Sequence, residues 1–288
     1  YQDFSFFELM LKVYQGGWTG SVKEFTSKII EDVYSIDIKS SYPYQMCSKY
    51  FPFFEYEETT HLKGKLANEF YKVQTSKGYF GIFKFKNIQV KNRNYILPIS
   101  TSQMTKGDYS NDRVTYNGKL ISCSSLTIPC NNIDIDTINL VYAYDEIECI
   151  EIVATNKQRR LREEEISFLL KAFLTKETIK DKTDYEYALS KVFINGMYGI
   201  KVTSPIRSSY TIEDGEVKEE DYFKFNNYER EDIYNKYIES LNPFGGELDI
   251  FTDGCYITSF ARLQLVEMSC LLADMGCNVI YSDTDSVK

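Results

Sequence analysis

The chain has 288 residues, 43% hydrophobic and 26% charged, with a net charge of −9. This is the composition of an ordinary soluble globular chain of roughly two domains, and its acidity argues against a protein that coats nucleic acid generally, while leaving room for a local basic channel. Seven cysteines without a CxxC pair and a single histidine, His61, argue against a zinc site and against Ser-His-Asp or Cys-His catalysis.

In chain order, FSFFELMLKVY is expected as a short helix running into the loop QGGWTG. EDVYSIDIK reads as a strand, with Val33, Ser35 and Asp37 alternating with Tyr34, Ile36 and Ile38. SSYPYQMCSKY starts a helix, with Ser40 or Ser41 placed to cap it and Pro43 in the first turn, where a missing N–H costs nothing. Residues 64–150 change to β-like runs: KGYFGIFKFKNIQV, NYILPIS, RVTYNGKLISC and NLVYAYDEIECIEIV. Gly, Asn and Asp turns divide them, YNGK is a two-residue hairpin signal, and together they read as a β-rich module.

From Asn156 to Tyr198 the pattern is helical, in two helices joined by KDKTD, with Asp184 as N-cap of the second. Residues 157–191 carry nine Lys/Arg and seven Asp/Glu, a locally basic segment, with Lys171, Lys176 and Lys180 spaced five and four apart. Glu213 to Asp221 hold six acids and one lysine and read as a solvated loop inside an inserted region, 201–253. CYITSFARLQLVEMSCLLADMG is an amphipathic helix ended at Met275-Gly276, and NVIYSDTDSVK returns as strand and turn. Unpaired cysteines with no secretory signal point to a reducing compartment. No apolar run approaches a membrane span.

Chemistry concentrates in two places. Side chains two apart on a strand share a face, so Asp283 and Asp285 converge at a turn. Two carboxylates in one place raise each other's pKa unless a cation sits between them, and a hard divalent ion such as Mg²⁺ is the natural partner. Asp37 is a third acid at the end of an apolar strand. If that strand lies beside 278–282, the three acids could hold two metals roughly 3.5–4 Å apart, the arrangement of in-line phosphoryl displacement. On its own a DTD tripeptide equally serves to close a hairpin. In KVFINGMYG, helical spacing puts Lys191, Asn195 and Tyr198 on one face, offering a cation for a triphosphate and a ring for a base or sugar; a wet helix stripe has the same pattern.

Read in order, DIKSSYP at 37–43, KVFINGMYG at 191–199 and YSDTDS at 281–286 resemble the three signature motifs of family B DNA polymerases, DxxSLYP, KxxxNSxYG and YxDTDS. YQGG at 14–17 resembles the YxGG/A element that joins exonuclease and polymerase domains in that family. The gaps of 154 residues from Asp37 to Lys191 and 88 from Asn195 to Asp283 are similar to those of the protein-primed branch, which carries two terminal-protein insertions there. The resemblance implies an α+β right-hand polymerase fold, an antiparallel palm sheet with packed helices plus helical fingers. Residues 1–63 and 255–288 would form the palm, 64–150 and 201–254 the two insertions and 151–200 the fingers, with the exonuclease domain and the thumb absent.

It implies a DNA-directed DNA polymerase of a viral or plasmid replicon, working with two Mg²⁺ ions or Mn²⁺ in their place, on a DNA template and primer, with deoxynucleoside triphosphates and a terminal protein as priming partner. The roles carried over are metal ligation by Asp37, Asp283, Asp285 and the Ile38 carbonyl. Nucleotide binding falls to Ser40, Ser41, Tyr42, Lys191, Asn195, Tyr198 and Gly199, with Lys176 or Lys180 as a second fingers lysine. DNA contact falls to Tyr14, Gly16, Gly17, Thr258, Arg262, Tyr281, Thr284 and Ser286. Gly196 stands where serine is usual and Ser41 where a bulky apolar residue is commoner. The alternatives are a non-catalytic remnant that binds DNA or a terminal protein, and another palm-type nucleotidyltransferase, which would lack the KxxxNxxYG helix.

Overall fold

The computed structural model describes residues 4–21, 25, 28–202, 209–213, 216–220 and 249–288. The described chain begins with α1 (Phe4–Val13), which buries Phe6, Phe7, Leu9, Met10 and Val13. β1 (Thr19–Ser21), β2 (Ile36–Asp37), α2 (Ser41–Ser48) and β3 (Phe51–Pro52) follow. Only two residues of EDVYSIDIK pair, because β2 is an edge strand whose sole neighbour is itself two residues long. Ser40 precedes α2 in the left-handed region, φ 51°, and its side chain makes no cap hydrogen bond.

Next come β4 (Thr59–Lys63), α3 (Gly64–Val73), β5 (Gly78–Val90), α4 (Thr101–Met104), β6 (Asp108–Tyr109), β7 (Val114–Tyr116), β8 (Lys119–Asn131), α5 (Asn132–Val141), β9 (Tyr142–Ala143) and β10 (Glu146–Thr155). The strands form one seven-stranded antiparallel sheet in the order β4-β10-β5-β8-β6, with β7 on β8 and β9 on β5. Asn117 and Gly118 both have positive φ, 47° and 70°, the type I′ turn that YNGK encodes. NYILPIS forms no strand beyond a single bridge, Ser100 to Lys119. Asn139–Val141, expected in a strand, close α5. There a reciprocal capping box between Asn131 and Asp134 overrides the β-branched composition of IDIDTI.

β11 (Gln158–Arg159) pairs with β3. α6 (Glu163–Thr178) and α7 (Tyr185–Lys201) form an antiparallel hairpin, and the Asp184 carboxylate accepts from the Glu186 amide at 2.8 Å as the cap of α7. The acidic stretch expected as a loop pairs instead, β12 (Ser209–Glu213) with β13 (Glu216–Glu220). The Asp214-Gly215 dipeptide between them is a hairpin signal whatever the charge of its flanks. α8 (Asp249–Asp274) is the spine. Its Val266 and Cys270 pack with Phe83, Phe85 and Leu126 of the large sheet. Its Phe251, Tyr256 and Ile257 pack with α1 and Phe51, Phe54 and Val153. Its Leu265 underlies β14 (Tyr281–Asp283) and β15 (Ser286–Val287) through Val279 and Val287. Those two strands complete a four-stranded antiparallel sheet, β1-β14-β15-β2. Among the described residues no helix is long and apolar enough to cross a membrane.

Candidate functional site

The four-stranded sheet sets three remote acids side by side. Asp37 pairs with Ser286, Ser286 with Asp283, and Asp283 with Thr19. Directly opposed residues in an antiparallel ladder present their side chains to one face, so Asp37 and Asp283 share a face across β15. Asp285 sits in the hairpin between β14 and β15. Its carbonyl accepts from the Ile38 amide at 2.8 Å, which ties the tip of the turn to the end of β2. Burial raises the pKa of Asp285, and the charges of Asp37 and Asp283 raise it further, so the three carboxylates feel one another.

The turn is held from behind. Thr284, at its centre, has φ 45°. Its amide donates to the Trp18 carbonyl at 2.6 Å, and its hydroxyl donates to Asp283 Oδ1 at 3.2 Å. Gly17 packs directly on this turn. A Cβ there would lie 2.6 Å from Thr284 Cγ2 and 2.8 Å from the Tyr42 hydroxyl, so glycine is required by close approach. Gly16 has no atom within 4 Å of a Cβ position, and its carbonyl accepts from Arg262.

Above the acids, Ser41, Tyr42, Pro43, Ile194, Asn195, Tyr198, Asp283, Thr284 and Asp285 line a cleft of about 350 Å³. The Tyr42 and Tyr198 rings stack at 4.3 Å between centroids and 31° between planes. The Tyr198 hydroxyl meets the Tyr14 hydroxyl at 3.1 Å. Desolvation raises the pKa of both Tyr42 and Tyr198, so both remain neutral phenols. Ser41 is buried, and its hydroxyl has no hydrogen-bond partner among the described residues. On the flank, the Lys176 ammonium donates to Ser40 Oγ at 3.1 Å, while Lys180 is exposed. Lys191 is exposed one turn before Asn195 on α7. Among the described residues, nothing beyond the local backbone of α7 lies within 4 Å of a Cβ position at Gly196 or Gly199. Tyr281 pairs with Ser21, with the Lys288 ammonium 5.4 Å from its ring centroid, and the Ser286 hydroxyl donates to the Asp283 carbonyl at 3.4 Å.

Thr258 and Arg262, expected to face a primer strand, are buried instead, at 0% and 1% exposure. The Thr258 hydroxyl donates to the Cys255 carbonyl at 2.9 Å within α8. The Arg262 guanidinium donates to Asp134 Oδ1 at 2.6 Å, to Ser259 Oγ at 2.8 Å and to the Gly16 carbonyl at 3.2 Å, and also to the Gln15 carbonyl. It anchors the loop that carries Gly17 and Trp18 against α5. Trp18 and Asp134 were not singled out by the sequence. A backbone carbonyl contact leaves no side-chain signature, and Asp134 is 128 residues from its partner.

The acids offer oxygen alone, the donor set of a hard divalent cation. Among the described residues no three of His, Cys, Asp and Glu stand close enough to form a finished ion cage. Asp37 and Asp283 are two strand spacings apart, about 9.5 Å between backbones. The chemistry of the donors and the pKa of Asp285 fit a cation; the fixed spacing leaves its coordination to side-chain rotation.

No family model matches the chain, and no curated protein matches it in sequence. Solved structures do. Phi29 DNA polymerase complexed with primer-template DNA and incoming nucleotide substrates is 19% identical, with a TM-score of 0.67 over 99% of this chain and 43% of that one. The same polymerase with primer-template DNA alone gives 18% identity and a TM-score of 0.65 over 99% and 43%. With single-stranded DNA it gives 19% and 0.65 over 99% and 42%. The chain thus spans less than half the length of the polymerase it matches. What is shared at this identity is the fold: over nearly its whole length the chain has the mixed α+β fold of part of Phi29 DNA polymerase.

Proposed function

We propose that the chain is the palm and fingers portion of a protein-primed family B DNA polymerase, with the segments 64–150 and 201–254 as its two insertions. One observation carries the reading. Three stretches far apart in sequence, around residues 42, 195 and 284, line a single cleft over the acid-bearing sheet. The neighbours of matching fold were solved with primer-template DNA and incoming nucleotides, which supports the same partners here.

Asp37 and Asp285 would hold two Mg²⁺ ions, or Mn²⁺ in their place, with Asp283 and the Ile38 carbonyl beside them; such ions lower the pKa of a primer 3′-OH and take up charge on a leaving pyrophosphate. The rest falls to the chain's own groups. Tyr42, stacked on Tyr198, forms a rigid wall that an incoming sugar packs against and that rejects a 2′-OH. Asn195 and Tyr198 test the shape of the nascent base pair, since sequence is read by the template. Lys176, already reaching Ser40 beside the acids, takes the role of second fingers lysine over Lys180, and with Lys191 meets triphosphate charge as a point cation. In initiation, the attacking hydroxyl comes from a separate terminal protein.

The test is primer extension by the full-length protein with Mg²⁺. Extension is expected, with a loss of about 10³-fold or more in Asp37→Ala. No extension by the wild type leaves a non-catalytic remnant, and undiminished extension by the variant refutes the metal ligands. Initiation dependent on a hydroxyl-bearing terminal protein, rather than on an RNA primer, decides the branch.

A further inference from the structure

The two feet of the α6–α7 hairpin meet on buried charge. Glu165 lies in the first turn of α6, and Lys201 is the last residue of α7. The Lys201 ammonium donates to Glu165 Oε1 at 3.0 Å and to Asp253 Oδ2, in the opening turns of α8, at 3.5 Å. Arg159 of β11 reaches the same Asp253 oxygen at 3.4 Å. Lys201 is 5% exposed and Asp253 1%. The other carboxylate oxygen, Oδ1, has no hydrogen-bond partner among the described residues. The backbones approach as closely as the charges: a Cβ on Gly254 would lie 2.6 Å from both the Lys201 carbonyl oxygen and Val202 Cγ1.

Apolar side chains could close this joint at lower desolvation cost, because burying charge is unfavourable unless partners are well placed. An apolar joint, however, is non-directional. A carboxylate that receives Lys201 and Arg159, with Lys201 also held by Glu165, fixes three helix ends and a strand relative to one another. Tyr198 is one turn from Lys201 on the same helix, so a shift at this foot moves the ring stacked on Tyr42.

We propose that Asp253 is a positioning residue: with Lys201 and Glu165 it pins the α6–α7 hairpin to α8 and so sets where Tyr198, Asn195 and Lys176 stand over the cleft. The inference rests on reading that cleft as the nucleotide site, and it concerns groups outside the cleft itself.

The test compares the full-length wild type with Asp253→Asn, which keeps the shape and removes the charge. Amide hydrogen exchange is followed in α6, α7, β5 and β8, and nucleotide incorporation at steady state. Exchange in α6 and α7 is expected to quicken about tenfold with β5 and β8 unchanged. KM for the nucleotide is expected to rise about tenfold, with kcat held within about threefold. In a double-mutant cycle, adding Lys201→Met to Asp253→Asn should cost little more than either change alone. Unchanged exchange in α6 and α7 overturns the proposal. So does quickening spread equally through β5 and β8, which would mark a merely structural charge. If Asp253→Asn fails to fold, Lys201→Met, which leaves Asp253 paired with Arg159, carries the same comparison. If the wild type incorporates no nucleotide, the nucleotide-site reading fails, and the exchange pattern alone decides whether the hairpin is pinned here.

Discussion

In the seven-stranded sheet, β5 and β8 are thirteen residues each and pair from Phe80–Asn131 to Gln89–Ser122. In the four-stranded sheet, β2 and β15 are two residues each, and the ladder is completed by bonds to turn carbonyls. The large sheet buries Phe83, Phe85, Leu126 and Ile128 completely, each worth about 1.5–3 kcal/mol of transfer free energy. The small sheet spends its central row on Asp37, Ser286, Asp283 and Thr19. Apolar burial is therefore concentrated in one region and a row of like charge in the other. The row that carries the acids is not the best-packed part of the molecule, and α8, which packs against both sheets, lets the packed one support the charged one.

The sharpest way to break this contrast is Asp285→Asn. Activity is expected to fall by about 10³-fold or more, yet the melting temperature should not fall. The sign follows from the raised pKa of Asp285. An acid whose folded pKa lies above its unfolded value contributes stability below the unfolded pKa and loses it as pH rises through the folded one. At pH 7 that contribution is already lost, so the neutral amide removes a penalty. Mg²⁺ should raise the melting temperature of the wild type, because an ion that binds the folded state stabilises it, and should raise that of the variant less. A variant that melts well below the wild type would place Asp285 among the stabilising residues and erase the contrast.

The joint between the two regions gives the next largest effect. Arg262→Ala strands Asp134, whose side chain is only 7% exposed, as a buried carboxylate without its partner. Removing one member of such a pair costs about 3–5 kcal/mol, read as a lower urea midpoint at constant m-value. Asp134→Asn in the Arg262→Ala background should recover part of the loss. Full stability of Arg262→Ala would mean that the loop at 15–18 is held by something other than this arginine.

These two variants also mark what a sequence can reveal. Asp283 and Asp285 stood out in the sequence because they lie two residues apart, and Asp37 because it ends an apolar strand; the ladder sets Asp37 and Asp283 on one face, with Asp285 in the turn beside them. The α6 and α7 helices, the cap at Asp184 and the turn at Asn117-Gly118 were legible because local rules decide them. Arg262 was misread because its surroundings come from elsewhere: Asp134 from the large sheet's helix, and Gln15 and Gly16 from the opposite end of the chain. Helices α3 and α5 escaped for a related reason. Each is ten residues set among strands, and IDIDTI reads as β until the Asn131–Asp134 capping box is seen. In the acidic hairpin, charge count outweighed an Asp-Gly turn that alone would have called for paired strands.

The mildest change tests how finely the small sheet's cleft is tuned. Tyr198→Phe keeps the ring that stacks on Tyr42 and deletes only the hydroxyl that meets Tyr14 at 3.1 Å. Tyr14 is half-buried, so water can replace part of the lost bond, and the stability cost should stay near or below about 1 kcal/mol. The same hydroxyl joins the loop at Tyr14–Trp18, which carries the Thr284 contact, to the helix that carries Asn195. Its loss should therefore raise the nucleotide KM by about two- to fivefold with little change in kcat, the pattern of weakened ground-state positioning. A fall in kcat with KM unchanged would instead place that hydroxyl in the transition state, and the ring pair would have to be read as chemistry rather than as a wall.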